Sequence, residues 1–444
     1  MGRYVKALDT RITMARRLQT FTRVFLLGTL ASCSTYTPAP LLPADLLQDL
    51  RAQPPIPLPN EGLTPEIATL TALAHNPDLQ AVRQSVGIAD SMLMEAGLWP
   101  DLQLGWDAMD WIVGGTSDDA LSGASIMVPL FRPDQRDALL ANAEASIHLV
   151  HTRLVEIEWR LTRLVRRQYL LLAEANDGLL LAQQAFALAD QTAALLQTGV
   201  ESGAATRFDL EFALVQKAES LRLQQSRQRE ADLARVQLNG LMGLAPQTQF
   251  GVLSLREMEH TWAIPAVTHG DGLVDLALQH RPDIKAQQAE YEVAETALRL
   301  EVAKQWPSIG IGTGLSIKLP IFRKFNSIAI QTATLARDQA ASRLQASIAR
   351  LRNEAWLVLR DAEGQAEEWS TMRDVVTPAL ERSLRLSQQA QEMGALSFLE
   401  VLFAQRQLLA TQRETLMVHA NALRAQADLA WFLGIPAPSN TLDR

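Results

Sequence analysis

Two spacings of apolar residues alternate along this chain. Ile147, Val150, Leu154, Ile157, Leu161, Leu164 and Leu171 step by three and four, with Gln168 in the one vacant slot. That is a coiled-coil seam, and it predicts one very long helix from about Pro133 to Gly199, on the order of 100 Å. A returning helix follows a Gly turn, from about Thr206 to Leu241. A second long helix is predicted from about Asn326 to Glu392, kinked at Pro378, with its own return from about Ser397 to Leu433. In that return Leu402, Leu409, Leu416 and Leu423 recur every seven residues, and Val401, Leu408 and Leu429 make a second stripe beside them. Two stripes on one helix call for neighbours on both sides, as in a closed ring of helices.

Elsewhere the period drops to two. Leu102, Leu104, Trp106 and Ala108 alternate with Gln103, Gly105 and Asp107; Ala124, Ile126 and Val128 alternate on the way back. Ile309 and Ile311, then Leu315, Ile317 and Leu319, do the same around Thr313-Gly314. Each set predicts a β-hairpin. A shorter helix precedes each hairpin. The first starts at Thr64-Pro65-Glu66, restarts at Asn76-Pro77-Asp78 and runs to about Leu98; the second runs from about Pro282 to Gln305. Trp-Pro ends both.

These parts are one unit written twice. His75-Asn-Pro-Asp-Leu79 returns as His280-Arg-Pro-Asp-Ile284, and Trp99-Pro100 as Trp306-Pro307. Pro129-Leu-Phe131 returns as Pro320-Ile-Phe322, Gly203-Ala204 as Gly394-Ala395, and Leu241-Met-Gly243 as Phe432-Leu-Gly434. The last three pairs share one offset of 191 residues, so the helical half of each repeat has the same length. The hairpins differ: Pro100 to Phe131 covers 32 residues, Pro307 to Phe322 only 16.

The amino terminus changes the compartment. Val24 to Ser32 is a nine-residue apolar run behind six basic side chains, too short to span a bilayer. It reads as a signal peptide, ending in Leu30-Ala31-Ser32-Cys33, which resembles a lipobox. The only cysteine of the chain sits where the acyl chain would be attached, and Ser34 after it suits sorting to an outer membrane. Met14 begins a more compact signal and is the expected start of translation. Residues 33–60, rich in Pro and polar residues, read as an extended tether. Removing residues 1–32 takes the net charge from −8 to −13. A chain so acidic is a poor nucleic-acid binder, and with one cysteine it can form no intrachain disulfide.

The duplicated helix–hairpin–long helix–return helix behind a lipobox resembles the TolC-like outer membrane efflux protein family. The resemblance covers about residues 60–435. It is carried by Asn76-Pro-Asp-Leu79, Trp99-Pro100, Pro129-Leu-Phe131, Gly203, Gly243 and their second-copy partners. Leu319-Pro-Ile-Phe322 and Phe398-Leu-Glu-Val-Leu-Phe-Ala-Gln-Arg406 resemble the heavy-metal resistance branch most. The fold class expected is mainly α: a signal peptide (1–32), the tether (33–60), a first repeat (61–243, hairpin about 100–131), a linker (244–270), a second repeat (271–434, shortened hairpin about 307–322) and a tail (435–444). The resemblance implies a homotrimer in which three protomers build one twelve-stranded β-barrel and a helical tunnel. It implies a lipid-anchored exit duct in the outer membrane, with a periplasmic adaptor (a membrane fusion protein) docking at the tips and an inner-membrane pump supplying energy. The tips are expected at Thr198–Asp209 and Gln389–Glu400, turned by Gly203, Ala204, Gly394 and Ala395.

The second hairpin departs from that pattern. Six-residue strands at ~3.3 Å per residue and ~45° tilt rise ~14 Å, whereas a membrane strand needs ~9–11 residues. The chain therefore either forms a truncated barrel or is a lipid-anchored periplasmic scaffold without a full pore.

Catalytic chemistry is missing from the sequence. It holds no nucleophile elbow, P-loop, dinucleotide fingerprint or HExxH, so no catalytic residues, no enzyme and no cofactor beyond the lipid on Cys33 are expected. His148 and His151 share a helix face without an evident third ligand, so no metal site is expected. Glu201, Asp209, Glu392 and Glu400 near the tips would form rings of carboxylates in a trimer and favour cations. Their plainer reading is helix-end chemistry, since an acid in a first helical turn is favourable by itself. Met92, Met94, Met109 and Met127 read as packing, and Trp106 and Trp111 as interface anchors or trimer contacts.

Overall fold

The computed structural model describes residues 36–52, 54–58, 62–106, 124–130, 132–258, 270–312, 315–318, 321–393 and 398–434. It divides into two units, 1–56 and 57–444. Cys33, Trp111, Met109, Gly394 and Ala395 lie outside the described residues.

In the first unit, α1 spans Pro43–Ala52, where the composition predicts extended chain. Pro43 opens the helix, Asp45 sits in its first turn and Arg51 in its last, so both ends suit the helix dipole. None of its residues is buried, and Leu46, Leu47 and Leu50 are exposed.

The second unit holds both repeats. α2 (Pro65–His75) and α3 (Pro77–Gly97) are separate helices because Pro77 cannot continue α2. Thr64 and Asn76 cap them, accepting bonds from the Ile67 and Leu79 amides at 3.3 and 2.9 Å. β1 (Gln103–Trp106) and β2 (Ala124–Leu130) follow. α4 (Pro133–Ser202) runs 70 residues without a break, about 105 Å long. α5 (Arg207–Met242) returns along it.

The second repeat opens with α6 (Gly270–His280) and α7 (Pro282–Ala303), then β3 (Ser308–Gly312) and β4 (Leu315–Lys318). Its long helix is not continuous. α8 (Ser327–Thr371) passes through a π-helical turn, Met372–Val376, into α9 (Thr377–Glu392). The Thr377 amide bonds the Met372 carbonyl, five residues back. Pro378 offers no amide and crowds the carbonyl four residues before it, so the predicted kink takes the form of a π turn just ahead of the proline. α10 (Phe398–Phe432) returns.

Packing differs from the predicted seam. Leu161 is buried, as expected, but Leu164 and Leu171 are exposed while Val165, Tyr169, Leu170 and Leu172 are buried. One apolar stripe cannot serve α4, because α2, α3, α5, α7 and α10 all pack against it. Gln168 fills its slot by donating to the Ala234 carbonyl of α5 at 3.0 Å. On α10, Leu423 is buried, and Leu429 is buried in a core with Leu273, Ile284, Leu351, Leu359 and Phe432. Tyr169 anchors the linker. Its buried hydroxyl donates to the Leu63 carbonyl and accepts from the Leu253 amide at 2.9 Å, beside a parallel bridge between Leu63 and Val252. Burial pushes that hydroxyl up to about 12.

Candidate functional site: an apolar sheet, a helical wall and a tip

The four strands form one antiparallel sheet in the order β1-β2-β3-β4, so the two hairpins, one from each repeat, meet at β2 and β3. Register places Val128 opposite Ile311, Leu130 opposite Ile309, and Ile309 opposite Ile317. These side chains, with Ile126, share one face and are all exposed. Their alternates are small or polar in β3 and β4: Ser308, Gly310, Gly312 and Ser316. In these two strands, apolar on one face and small or polar on the other is the pattern of a barrel wall between lipid and lumen. β1 and β4 have no outer partner among the described residues, so each leaves an open edge for another chain. Among the described residues the longest strand, β2, has seven residues, about 23 Å along the strand and ~16 Å after tilt. Residues 107–123 of the first hairpin and 313–314 of the second lie outside the described residues.

Beneath the sheet the helices stand side by side. In the lower part the order of contact is α5–α4–α10–α8. The two flanking helices carry large exposed apolar side chains, among them Leu233 on α5 (64% exposed) and Leu357 on α8 (71% exposed). Isolated exposed leucines need no explanation; rows of them on both flanks mark surfaces meant for neighbours. Charged groups lock the wall from within. Arg281 is buried and binds Asp283 at 2.8 Å and Glu354 at 3.0 Å, with its guanidinium near Trp159, Trp431 and Phe432. Burial lowers its affinity for the proton, but the two carboxylates more than restore it. Trp159 stacks on Trp431 at 4.0 Å, and Arg163 bonds Asp428 at 3.0 Å across α4 and α10. None of this network was evident in the sequence, because its members lie on four helices, α4, α7, α8 and α10, far apart in the chain.

At the far end, Gly203 ends α4 in the left-handed region (φ 78°), and the Ala204 amide reaches back to the Gly199 carbonyl at 2.7 Å. Thr206 and Asp209 then form a capping box: the Asp209 amide donates to the Thr206 hydroxyl at 3.2 Å and the Thr206 amide to the Asp209 carboxylate at 3.1 Å. The Thr206 hydroxyl donates to the same carboxylate at 2.6 Å, and these bonds hold its pKa below the usual range. Asp209 is thus engaged at its own helix end. Glu201 is exposed in the last turn of α4. Glu392 ends α9 and Glu400 lies in the first turn of α10; their side chains lie outside what the structure describes. A groove of about 820 Å³ opens beside this tip between α4, α5 and α10, lined by Leu196, Phe208, Phe212, Phe403, Arg406 and Arg413.

Among the described residues no group of three or more His, Cys, Asp or Glu side chains could hold a metal. His148 and His151 are both exposed, as are Met92 and Met94.

This architecture has solved counterparts. No protein-family model and no curated protein sequence matches the chain. The fold does match. CusC, studied for the conformational changes that accompany folding and transmembrane channel formation, is 17% identical with a TM-score of 0.67, over 84% of this chain and 92% of that one. The outer membrane channel CmeC of Campylobacter jejuni is 12% identical at a TM-score of 0.67, over 91% and 90%. The outer membrane protein VceC of Vibrio cholerae is 16% identical at 0.65, over 83% and 96%. At such identities the likeness establishes the fold: this chain has the mainly α fold of the TolC-like outer membrane channels.

Proposed function

We propose that this protein is the outer-membrane exit duct of a tripartite efflux or secretion system, working as a homotrimer and catalysing nothing. The observation that carries this reading is the four-stranded sheet, apolar on one face and open at both edges, standing on a helical wall about 105 Å long. Three copies would pair β1 of one with β4 of the next and cover the exposed rows on α5 and α8. The lipid on Cys33 holds the molecule to the membrane. A periplasmic adaptor engages the helical tips, where the groove beside Phe208, Phe212 and Phe403 offers it an apolar seat, and an inner-membrane pump delivers the substrate. The neighbours described as channels support the duct rather than an enzyme.

A second reading rests on the second hairpin, whose strands have five and four residues. A periplasmic scaffold tethered by its lipid would need no longer ones. Purified protein in planar bilayers separates the two. The duct gives a mass of three chains and stepwise conductance; the scaffold gives no conductance at any protein concentration.

A further inference from the structure

The helical wall gathers positive charge at one place on an otherwise acidic chain. On α4, Arg166 and Arg167 follow Arg163 by three and four residues, so each neighbours it on the helix surface. Arg424 comes from α10, with Asp428 and Trp431 four and seven residues after it on the same face. All six line one recess of about 10 Å³, room for roughly one oxygen atom. Carboxylates meet only two of the four guanidiniums. Arg163 bonds Asp428 at 3.0 Å and lies 4.0 Å from the centre of the Trp431 ring. Arg424 bonds Glu174, and the Asn421 side-chain oxygen at 3.0 Å. Arg166 and Arg167 have no carboxylate in ion-pair contact among the described residues; Glu66 acts on Arg166 only through its field. The Nε atoms of Arg166 and Arg424 are buried with no hydrogen-bond partner. Burial lowers the proton affinity of both groups, and the neighbouring charge of Arg167 lowers that of Arg424 further. Buried donors in native folds are nearly always paired, and charged ones are the costliest to leave open. What the recess lacks is an acceptor that carries negative charge.

A phosphate group supplies that acceptor. It offers several oxygens to guanidinium forks, two at a time, and one oxygen would enter the recess while the others face Arg166 and Arg167. A lipid headgroup cannot be its source, because Arg163 lies thirty residues beyond Pro133, about 45 Å along α4 from the sheet end. We propose that Arg163, Arg166, Arg167 and Arg424 form a binding site for a soluble phosphate-type oxyanion, free or esterified, between α4 and α10. The site does not depend on whether the sheet crosses a membrane.

Calorimetric titration of inorganic phosphate, then of glycerol 3-phosphate, into the purified full chain in detergent at constant ionic strength tests it. The site predicts saturable binding of one anion per chain. Arg167→Gln, at an exposed position that leaves the fold intact, should weaken it about tenfold, and Arg166→Gln with Arg167→Gln should abolish it. Arg167→Lys keeps the charge but loses the fork, and should fall between Arg167→Gln and the unaltered chain. Arg229→Gln, at an exposed position on α5, should leave binding unchanged. Binding of both anions supports an ester whose body stays outside the recess; binding of inorganic phosphate alone supports the free ion. No saturable binding of either overturns the site. So does binding that survives the double substitution, or that Arg229→Gln weakens as much as Arg167→Gln does, since diffuse surface charge would then account for it.

Discussion

In the first repeat Gly243 caps α5 and lies against the carbonyl of His75; in the second, Gly434 caps α10 and lies against His280 and Arg281. Both glycines have positive φ, 71° and 67°. The paired landmarks of the sequence are thus contacts: each helix return docks on the bend where a proline starts a new helix. What differs is the residue in the bend. Asn76 caps α3 and donates to the Leu241 carbonyl at 2.9 Å. Its counterpart Arg281 makes no side-chain cap; it reaches across to Asp283 and Glu354 and lies 5.0 Å from the ring of Phe432, the counterpart of Leu241. One backbone geometry therefore tolerates two chemistries, a local cap and a long-range ion network. A second difference lies lower. α4 is unbroken where Ala187 stands, while the equivalent position in the second repeat is Pro378 and the π turn precedes it.

The comparison can be broken first at the glycines. Gly243→Ala sets a Cβ on the His75 carbonyl and forces an L residue into the left-handed region; we expect a loss of about 3 kcal/mol in chemical denaturation. Gly434→Ala, whose Cβ would meet the His280 and Arg281 backbone at 2.9–3.0 Å, should lose about 2 kcal/mol. Equal, negligible losses would mean that the matched glycines are not contacts.

Next come the bend residues. Arg281→Met leaves Asp283 and Glu354 without their cation and should cost about 2–3 kcal/mol, and added salt should not restore it. Asn76→Ala loses a cap and one bond to α5, about 1–2 kcal/mol. If Asn76→Ala proves the costlier change, the ion network is not what stabilises the second bend.

Pro378→Ala should remove the cause of the π turn and lengthen the distance between spin labels at positions 360 and 388, measured by pulsed dipolar spectroscopy. Ala187→Pro should break α4 at the matching height. An unchanged distance in the first variant would mean that packing, and not the proline, sets the break.

The smallest effect is at the tip. Because its capping box lowers the Asp209 pKa in the fold, Asp209 contributes stability above the ordinary carboxylate range, and that contribution is lost as pH falls through the lowered value. Asp209→Asn should speed amide exchange in the first turn of α5 at neutral pH and leave it unchanged in acid.

Much of this was legible in the sequence, for identifiable reasons. Helix starts at Thr64, Asn76 and Thr206 carry their own hydrogen-bonding caps, and strands in a one-sided sheet alternate, so both announce themselves locally. An offset of 191 residues tells which residues correspond, but not that Gly243 touches His75. Nor does a stripe reveal how many neighbours a helix has, which is why Leu164 and Leu171 were expected inside and lie outside. α1 was hidden by composition: the prolines around it suggest extended chain, but they flank the helix or open it at Pro43 and do not interrupt it.

Whether this protein pierces the outer membrane is tested most directly by labelling intact cells. Single cysteines at the predicted hairpin tips, Thr116→Cys and Gly314→Cys, would be exposed to a membrane-impermeant maleimide. The duct predicts labelling from outside at position 116, and at both positions if the short second hairpin also crosses. No labelling at either position, with both reacting once the outer membrane is permeabilised, would place the whole molecule in the periplasm and contradict the account.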